Sequence, residues 1–288
     1  MASKQKNLIA LALIALAMIT VLGCGRGPST LLRQGQLPIN DFPLYLTDGS
    51  SGRIIKFNKD GTSSTFATGL SNPQGIATDR YNNVYVVDQG NSRVLKYSAS
   101  GGSPSTLIDS LSSPFIVVVD SFGEIYVTQD GTKNVIRASD RKAMVTLSQA
   151  PTALTIGVSD TFITGSAGLG KVFWGLTTTG PSVSEPNVVN AAIDSDGLVY
   201  IAEGDNGSTL GVVKRFNQTT PGTGTTVVNA ISNPLGIAVS PVGDVYVIET
   251  GGSGGVTFSR ITIADHTGVA RLFATGFLDP RFLTFTQY

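Results

Sequence analysis

Residues 72–89 read NPQGIATDRYNNVYVVDQ, and residues 233–249 read NPLGIAVSPVGDVYVIE. Both run Asn-Pro-x-Gly-Ile-Ala, then a polar turn, then Val-Tyr-Val and an acid. Weaker copies stand at 113–130 (SPFIVVVDSFGEIYVTQD) and 185–203 (EPNVVNAAIDSDGLVYIAE), and a degenerate one runs from Pro151 to Thr164. Self-similarity at a period of roughly 40 residues marks a repeat architecture, in which each copy is one supersecondary unit.

Strand physics alone reads one copy. Gln74–Thr78 is a short apolar run that ends at Asp79, and Arg80–Asn83 is a turn. Val84–Val87 is β-branched and aromatic and closes at Asp88. Gln89-Gly90-Asn91-Ser92 has turn chemistry, since Gly and Asn accept positive φ. Arg93–Ser98 alternates as a half-exposed strand does, and Pro104–Ile108 forms the last strand. Inner runs such as Val117-Val118-Val119 are apolar on both faces, as in sheets covered on both sides. Outer strands carry Lys56, Lys96, Arg137, Lys214 and Arg215. Four strands per unit, running from an apolar centre to a charged rim, describe the blade of a β-propeller.

The two ends of the chain complete each other. Residues 44–69 look like a repeat without its first strand, and residues 278–285 (LDPRFLTF) look like a first strand without its successors. Pairing them makes one blade and leaves no open edge. First strands are expected near Pro73, Pro114, Pro151, Pro186, Pro234 and Pro280. The expectation is therefore an all-β protein, a six-bladed propeller of four-stranded antiparallel blades closed by its termini, over residues 41–288.

The series Pro-x-Gly-Ile-Ala…Val-Tyr-Val-x-Asp…Gly-Asn-x-Arg-Val resembles the NHL repeat. The match is close at 72–97 and 233–248, fair at 113–137 and 185–215, and poor at 151–176. The resemblance implies a propeller and leaves activity open, because such propellers include ligand binders, scaffolds and a few lyases.

Residues 1–24 read MASKQKNLIALALIALAMITVLGC. Lys4 and Lys6 precede an uncharged run, Leu8–Leu22, too short for the ~20 residues of a membrane span. This is the pattern of a signal peptide, residues 1–23. Val21-Leu22-Gly23-Cys24 resembles a bacterial lipobox. That resemblance implies cleavage before Cys24, lipidation of Cys24 and a membrane partner through its acyl chains, which contribute about 0.8 kcal/mol per buried methylene. Cys24 is the one cysteine of the chain, so no internal disulfide exists. Residues 24–40 read as the lipidated Cys and a tether. Gly25 in place of Asp favours the outer membrane of the cell envelope, by analogy with such lipoproteins.

The formal charge is zero, and removing Lys4 and Lys6 leaves 18 basic against 20 acidic groups. Such a balance offers no electrostatic footprint for nucleic acid. Strand alternation puts the loop after strand two and the loop before strand one on a single face. Asp48, Asp88, Asp130, Glu203 and Glu249 belong to the first set, and Asn72, Asn233 and Asp279 to the second. The fourth unit has no acid there, reading Thr164-Gly165-Ser166-Ala167-Gly168. These acids and amides are the candidate ligand-binding residues at the channel mouth, and Ca²⁺ is a possible occupant because it takes oxygen ligands. The alternative is that each acid caps its own turn. His266, the one histidine, falls in a turn between outer strands, so His-based catalysis is not expected. Gly251–Gly255 (GGSGG) reads as a flexible loop. The functional expectation is an envelope-anchored binding or scaffolding module for an unknown small-molecule or protein ligand. Its rival is a Ca²⁺-dependent lactone hydrolase or lyase on the same fold.

Overall fold

In the computed structural model the described residues are 43–286, except 59–61, 158–161, 167–170, 177–180, 186, 206–209, 218–221, 254–255 and 266–267. Cys24, with the signal peptide and tether, and His266 lie outside them. The first three strands are β1 (Leu44–Asp48), β2 (Arg53–Phe57) and β3 (Ser63–Ala67). Next come β4 (Pro73–Thr78), β5 (Val84–Asp88), β6 (Arg93–Tyr97) and β7 (Ser105–Ile108). They are followed by β8 (Pro114–Val119), β9 (Ile125–Gln129), β10 (Asn134–Arg137) and β11 (Ala143–Thr146). The fourth group is β12 (Ala153–Ile156), β13 (Phe162–Ser166), β14 (Lys171–Trp174) and β15 (Ser182–Ser184). The fifth is β16 (Val188–Ile193), β17 (Leu198–Glu203), β18 (Gly211–Asn217) and β19 (Thr225–Ile231). The chain ends with β20 (Pro234–Val239), β21 (Val245–Ser253), β22 (Val256–Ala264), β23 (Ala270–Thr275) and β24 (Pro280–Phe285).

These strands form six antiparallel sheets of four. Five follow chain order. The sixth has the order β24-β1-β2-β3, so the C-terminal strand is the inner strand of the first blade, with Leu44 opposite Phe285 and Leu46 opposite Leu283. The protein is a six-bladed β-propeller closed by its two ends. Blades I to VI are numbered from the blade of β1. The inner strands β24, β4, β8, β12, β16 and β20 touch their neighbours in that order and return to β24.

The repeat's residues explain this ring. Proline lacks an N–H and therefore suits the first residue of an edge strand. Pro73, Pro114, Pro234 and Pro280 occupy that place in four inner strands. Before three of them, Asn72, Ser113 and Asn233 take φ of 48°, 48° and 38°, as does Asn187 at 58° before β16. Asn tolerates this left-handed turn better than most residues. Gly75 exists for close approach. A Cβ there would lie 2.7 Å from the Cα of Ile116 and from the carbonyl oxygen of Phe115, on the next inner strand. Gly236 meets Arg281 in the same way, its Cβ position 2.7 Å from that residue's carbonyl oxygen.

The second-strand tyrosine closes the hairpin between strands one and two. Asp79 accepts the backbone N–H of Tyr81 and of Asn83, both at 2.9 Å, and the Tyr85 hydroxyl at 3.0 Å. Asp120 binds the N–H groups of Phe122 and Glu124 and the Tyr126 hydroxyl at 3.3 Å. Asp194 repeats the pattern with Asp196, Leu198 and the Tyr200 hydroxyl at 3.1 Å. Between blades, apolar side chains form the core, with Tyr45, Leu44, Ile54, Val84, Val86, Ile163, Ile201, Tyr246 and Ile248 almost wholly enclosed. One expectation is corrected. Gly251–Ser253 are not loop but the end of β21, with Gly251 opposite Phe258 and Gly252 opposite Thr257. Backbone pairing with Val256–Phe258 of β22 is what extends this run as strand, and Gly254 and Gly255 lie outside the described residues.

Candidate functional site

The face formed by the loops after strand two carries the expected acids, and most of them are held from within. Strand two ends at Asp48, Asp88, Gln129, Ser166 and Glu203 in blades I to V, and Glu249 holds the equivalent position within the longer β21 of blade VI. Asp48 is fully enclosed. Its carboxylate accepts the N–H of Asp279 at 2.7 Å and ion-pairs with Arg53 at 3.1 Å. Asp88, equally enclosed, accepts the N–H of Ser71 at 2.7 Å, Asn91 Nδ2 at 2.9 Å and Arg93 Nε at 2.8 Å. Glu249 accepts the N–H of Ser232 at 3.1 Å and pairs with Arg260 at 3.0 Å. In blade III the neutral pair Gln129 and Asn134 replaces acid and Arg, and Gln129 Oε1 accepts the N–H of Ser112 at 2.8 Å. In blade IV the Ser166 hydroxyl donates to the Ala150 carbonyl at 2.9 Å. Each of these groups ties the loop entering its blade to strand two, and the repeat's Gly-Asn-x-Arg supplies a charged partner.

Two acids stand apart. Glu203 shares Lys214 with Glu185, Lys214 Nζ lying 2.8 Å from Glu203 Oε1 and 2.6 Å from Glu185 Oε2. Burial, together with its bond to Glu185, pushes the Glu203 carboxyl up to about 7, against the pull of Lys214. Asp130 is one residue past the equivalent place, which belongs to Gln129. Its Oδ1 is buried without a hydrogen-bond partner, and burial raises its pKa.

The amides serve the turns. Asn72 Nδ2 donates to Gln89 Oε1 at 2.6 Å and Asn72 Oδ1 accepts from Gln74 at 2.9 Å. Asn233 Nδ2 donates to the Thr250 hydroxyl at 2.8 Å. The structure does bring Asn72 and Asp279 together. A Cβ on Gly49 would lie 3.2 Å from Asn72 Oδ1 and 2.7 Å from Asp279 Oδ2. Gln74 and Arg281, which sequence reasoning passed over, complete this cluster, and Arg281 pairs with Asp279 at 2.8 Å. Among the described residues no group of three or more His, Cys, Asp or Glu could hold a metal ion. With Asp48 and Asp88 saturated by N–H and guanidinium donors, these residues do not fit a Ca²⁺ centre.

The opposite face is different. A cavity of about 420 Å³ occupies the channel and opens among the turns that join strands one and two. Its wall includes Ile76, Ile116, Val118, Leu154, Ile237 and Phe282. Thr155, Asn190 and Thr284 interrupt this surface, and Arg80, Ser121 and Ser195 are exposed at its mouth. Among the described lining residues Asp194 is the one carboxylate, and three donors from its own turn already hold it. The signal for this cavity was present in the sequence. Runs such as Val117–Val119, read as covered on both faces, also form the wall of the lumen.

The backbone is similar to a chain in the crystal structure of a nidogen/laminin complex, with a TM-score of 0.69 at 13% identity over 85% of this chain and 98% of that one. A streptogramin B lyase gives 0.60 at 15% identity, covering 86% of this chain and 85% of the lyase. A gluconolactonase from Xanthomonas campestris gives 0.58 at 14% identity, covering 89% and 90%. Identities this low establish a shared fold and nothing more. No family model matches the sequence, and no curated protein matches it.

Proposed function

We propose that this chain is an exported NHL-type propeller, anchored to the cell envelope through lipid on Cys24, and that it works as a binding module whose ligand sits in the central channel. The observation that carries this reading is the channel cavity of about 420 Å³. It falls in the range of roughly 300–1,000 Å³ typical of small-ligand sites, and its wall mixes aliphatic side chains with hydroxyl, amide and charged groups. Among the described lining residues there is no His, Cys or Lys, and the one acid, Asp194, is engaged in its turn, so these residues offer groups for recognition. The balanced charge gives no reason to expect nucleic acid.

The test is a titration with a neutral solvatochromic dye. Thr155 and Thr284 line the lumen and are only half-buried, so a larger side chain there enters the cavity and not the blade core. Thr155→Phe and Thr284→Phe should each abolish dye binding while the melting temperature holds. Unchanged binding in both folded variants would contradict a channel site. Anchoring is tested separately: Cys24→Ala should release the protein from membranes, and wild-type protein recovered without acyl chains would refute the anchor.

A further inference from the structure

Three features meet at the open mouth of the cavity. The first is a lone cation. Arg80 follows Asp79 in the blade II turn, and its guanidinium lies 4.9 Å from the Tyr81 ring centre and donates to the Tyr81 hydroxyl at 3.0 Å. Among the described residues no carboxylate pairs with it. Asp194, the other charged lining residue, belongs to the diametrically opposite blade V.

The second feature is an apolar crown. Tyr81, Phe122 and Val242 occupy the same position, two residues after the Asp or Ser that starts the turn, in blades II, III and VI. They are 66%, 84% and 55% exposed. Their turns supply the mouth residues Arg80, Ser121 and Pro241. Exposed large apolar groups gathered about a concave apolar site are a mark of interaction, unlike singly scattered ones.

The third is an unpartnered hydroxyl. Thr286 holds the place in blade I that Asp79 holds in blade II. It lines the cavity, and its Oγ1 is buried without a hydrogen-bond partner. A buried polar atom of this kind is unfavourable unless something completes it.

We infer that the mouth receives a single-chain amphiphile with an anionic head, a long-chain carboxylate, whose apolar body fills the channel and whose carboxylate pairs with Arg80. The inference rests on the binding-module reading. The strand wall from Ile76 to Thr78 spans roughly 7 Å at about 3.3 Å per residue, and the turn carries the wall on to Arg80, a depth suited to a chain. The exposed apolar crown gives the alkyl body a route past the polar turns of the mouth. Arg presents a planar fork that matches a carboxylate, so the head is fixed in direction as well as sign.

The experiment displaces a neutral naphthylamine dye from the full-length protein with hexanoate, octanoate, decanoate and dodecanoate, and with the matching alcohols. Carboxylate affinity should rise about fourfold per methylene, the equivalent of about 0.8 kcal/mol. Arg80→Gln should weaken carboxylates about tenfold and leave alcohols unchanged, with Arg80→Lys partly restoring the difference. Anionic phospholipid vesicles form a separate arm, and displacement by vesicles without displacement by free alkanoates would overturn the proposal. So would equal affinity for alcohols and carboxylates, or an equal loss of both in Arg80→Gln. Those results with dye still bound would remove the amphiphile and retain the channel site; failure of the dye to bind would remove both.

Discussion

The two mouths of the channel are made by the same six inner strands, yet they are built for different work. At one end, Gly75 and Gly236 let neighbouring strands close on each other, and acids in the adjoining loops are tied to N–H groups and arginines. At the other, Ile, Val, Leu and Phe side chains line the lumen, and the rim carries exposed aromatic groups and, in Arg80, a cation with no carboxylate partner among the described residues. Acidic residues are plentiful at both ends. The difference shows that a recurring acid in a repeat is first a fastening of its own loop. The place to look for a ligand is where polar groups are left over and space remains.

The largest expected effect removes both mouths together. Deleting Asp279–Tyr288 takes away β24, the inner strand of blade I, and exposes β1 along its length. The cooperative thermal transition should disappear, because an opened ring exposes an apolar edge. A truncated protein that melts as the full chain does would show that the termini do not close the ring.

A second test compares two acids of the closed mouth. Asp88→Ala strands Ser71 N–H, Asn91 and Arg93 and should cost about 3 kcal/mol, read by chemical denaturation. Asp130→Asn removes a carboxylate whose Oδ1 is buried without a hydrogen-bond partner and whose ionisation burial disfavours, so stability should hold or rise. Dye binding in the opposite mouth should persist in both folded variants. Equal destabilisation by the two would dissolve the distinction between fastening acids and idle ones.

The sequence made much of this legible, for identifiable reasons. Pro-x-Gly-Ile-Ala and Val-Tyr-Val each answer a local demand: an edge strand with a close neighbour, and a tyrosine that reaches the Asp of its own turn. Such demands recur in several blades, the close approach at Gly75 and Gly236 and the tyrosine bond at Tyr85, Tyr126 and Tyr200, so repetition exposed them, and the complementary ends revealed the closure. The acids were visible as a set, but their partners were not. Asp88 and the Ser71 N–H lie seventeen residues apart. Asp48 and the Asp279 N–H are separated by 231. Asp130 was placed one residue out of step because Gln129 took the equivalent position with a neutral pair. The cavity escaped because an inner strand's apolar run reads alike whether it packs on a neighbour or faces a lumen.

A smaller effect concerns pH. Burial lifts the Glu203 carboxyl from 4.5 to about 7, so the folded protein binds a proton that the unfolded chain releases in that window. Stability should therefore decline modestly as the pH rises from about 4.5 to 7, the cost of ionising a buried acid beside Glu185. Glu203→Gln should flatten that slope, measured as the melting temperature across the pH series. A slope unaltered by the substitution would assign the pH dependence to other groups.

The most direct measurement of the central claim is photolabelling with a neutral alkyl diazirine, followed by peptide mapping. The account predicts labels on the lumen walls of β8, β12 and β24, lost when Thr155→Phe fills the channel. Labels concentrated on Gly49, Asn72, Gln89 and Thr250 at the closed mouth, and unaffected by that substitution, would contradict it.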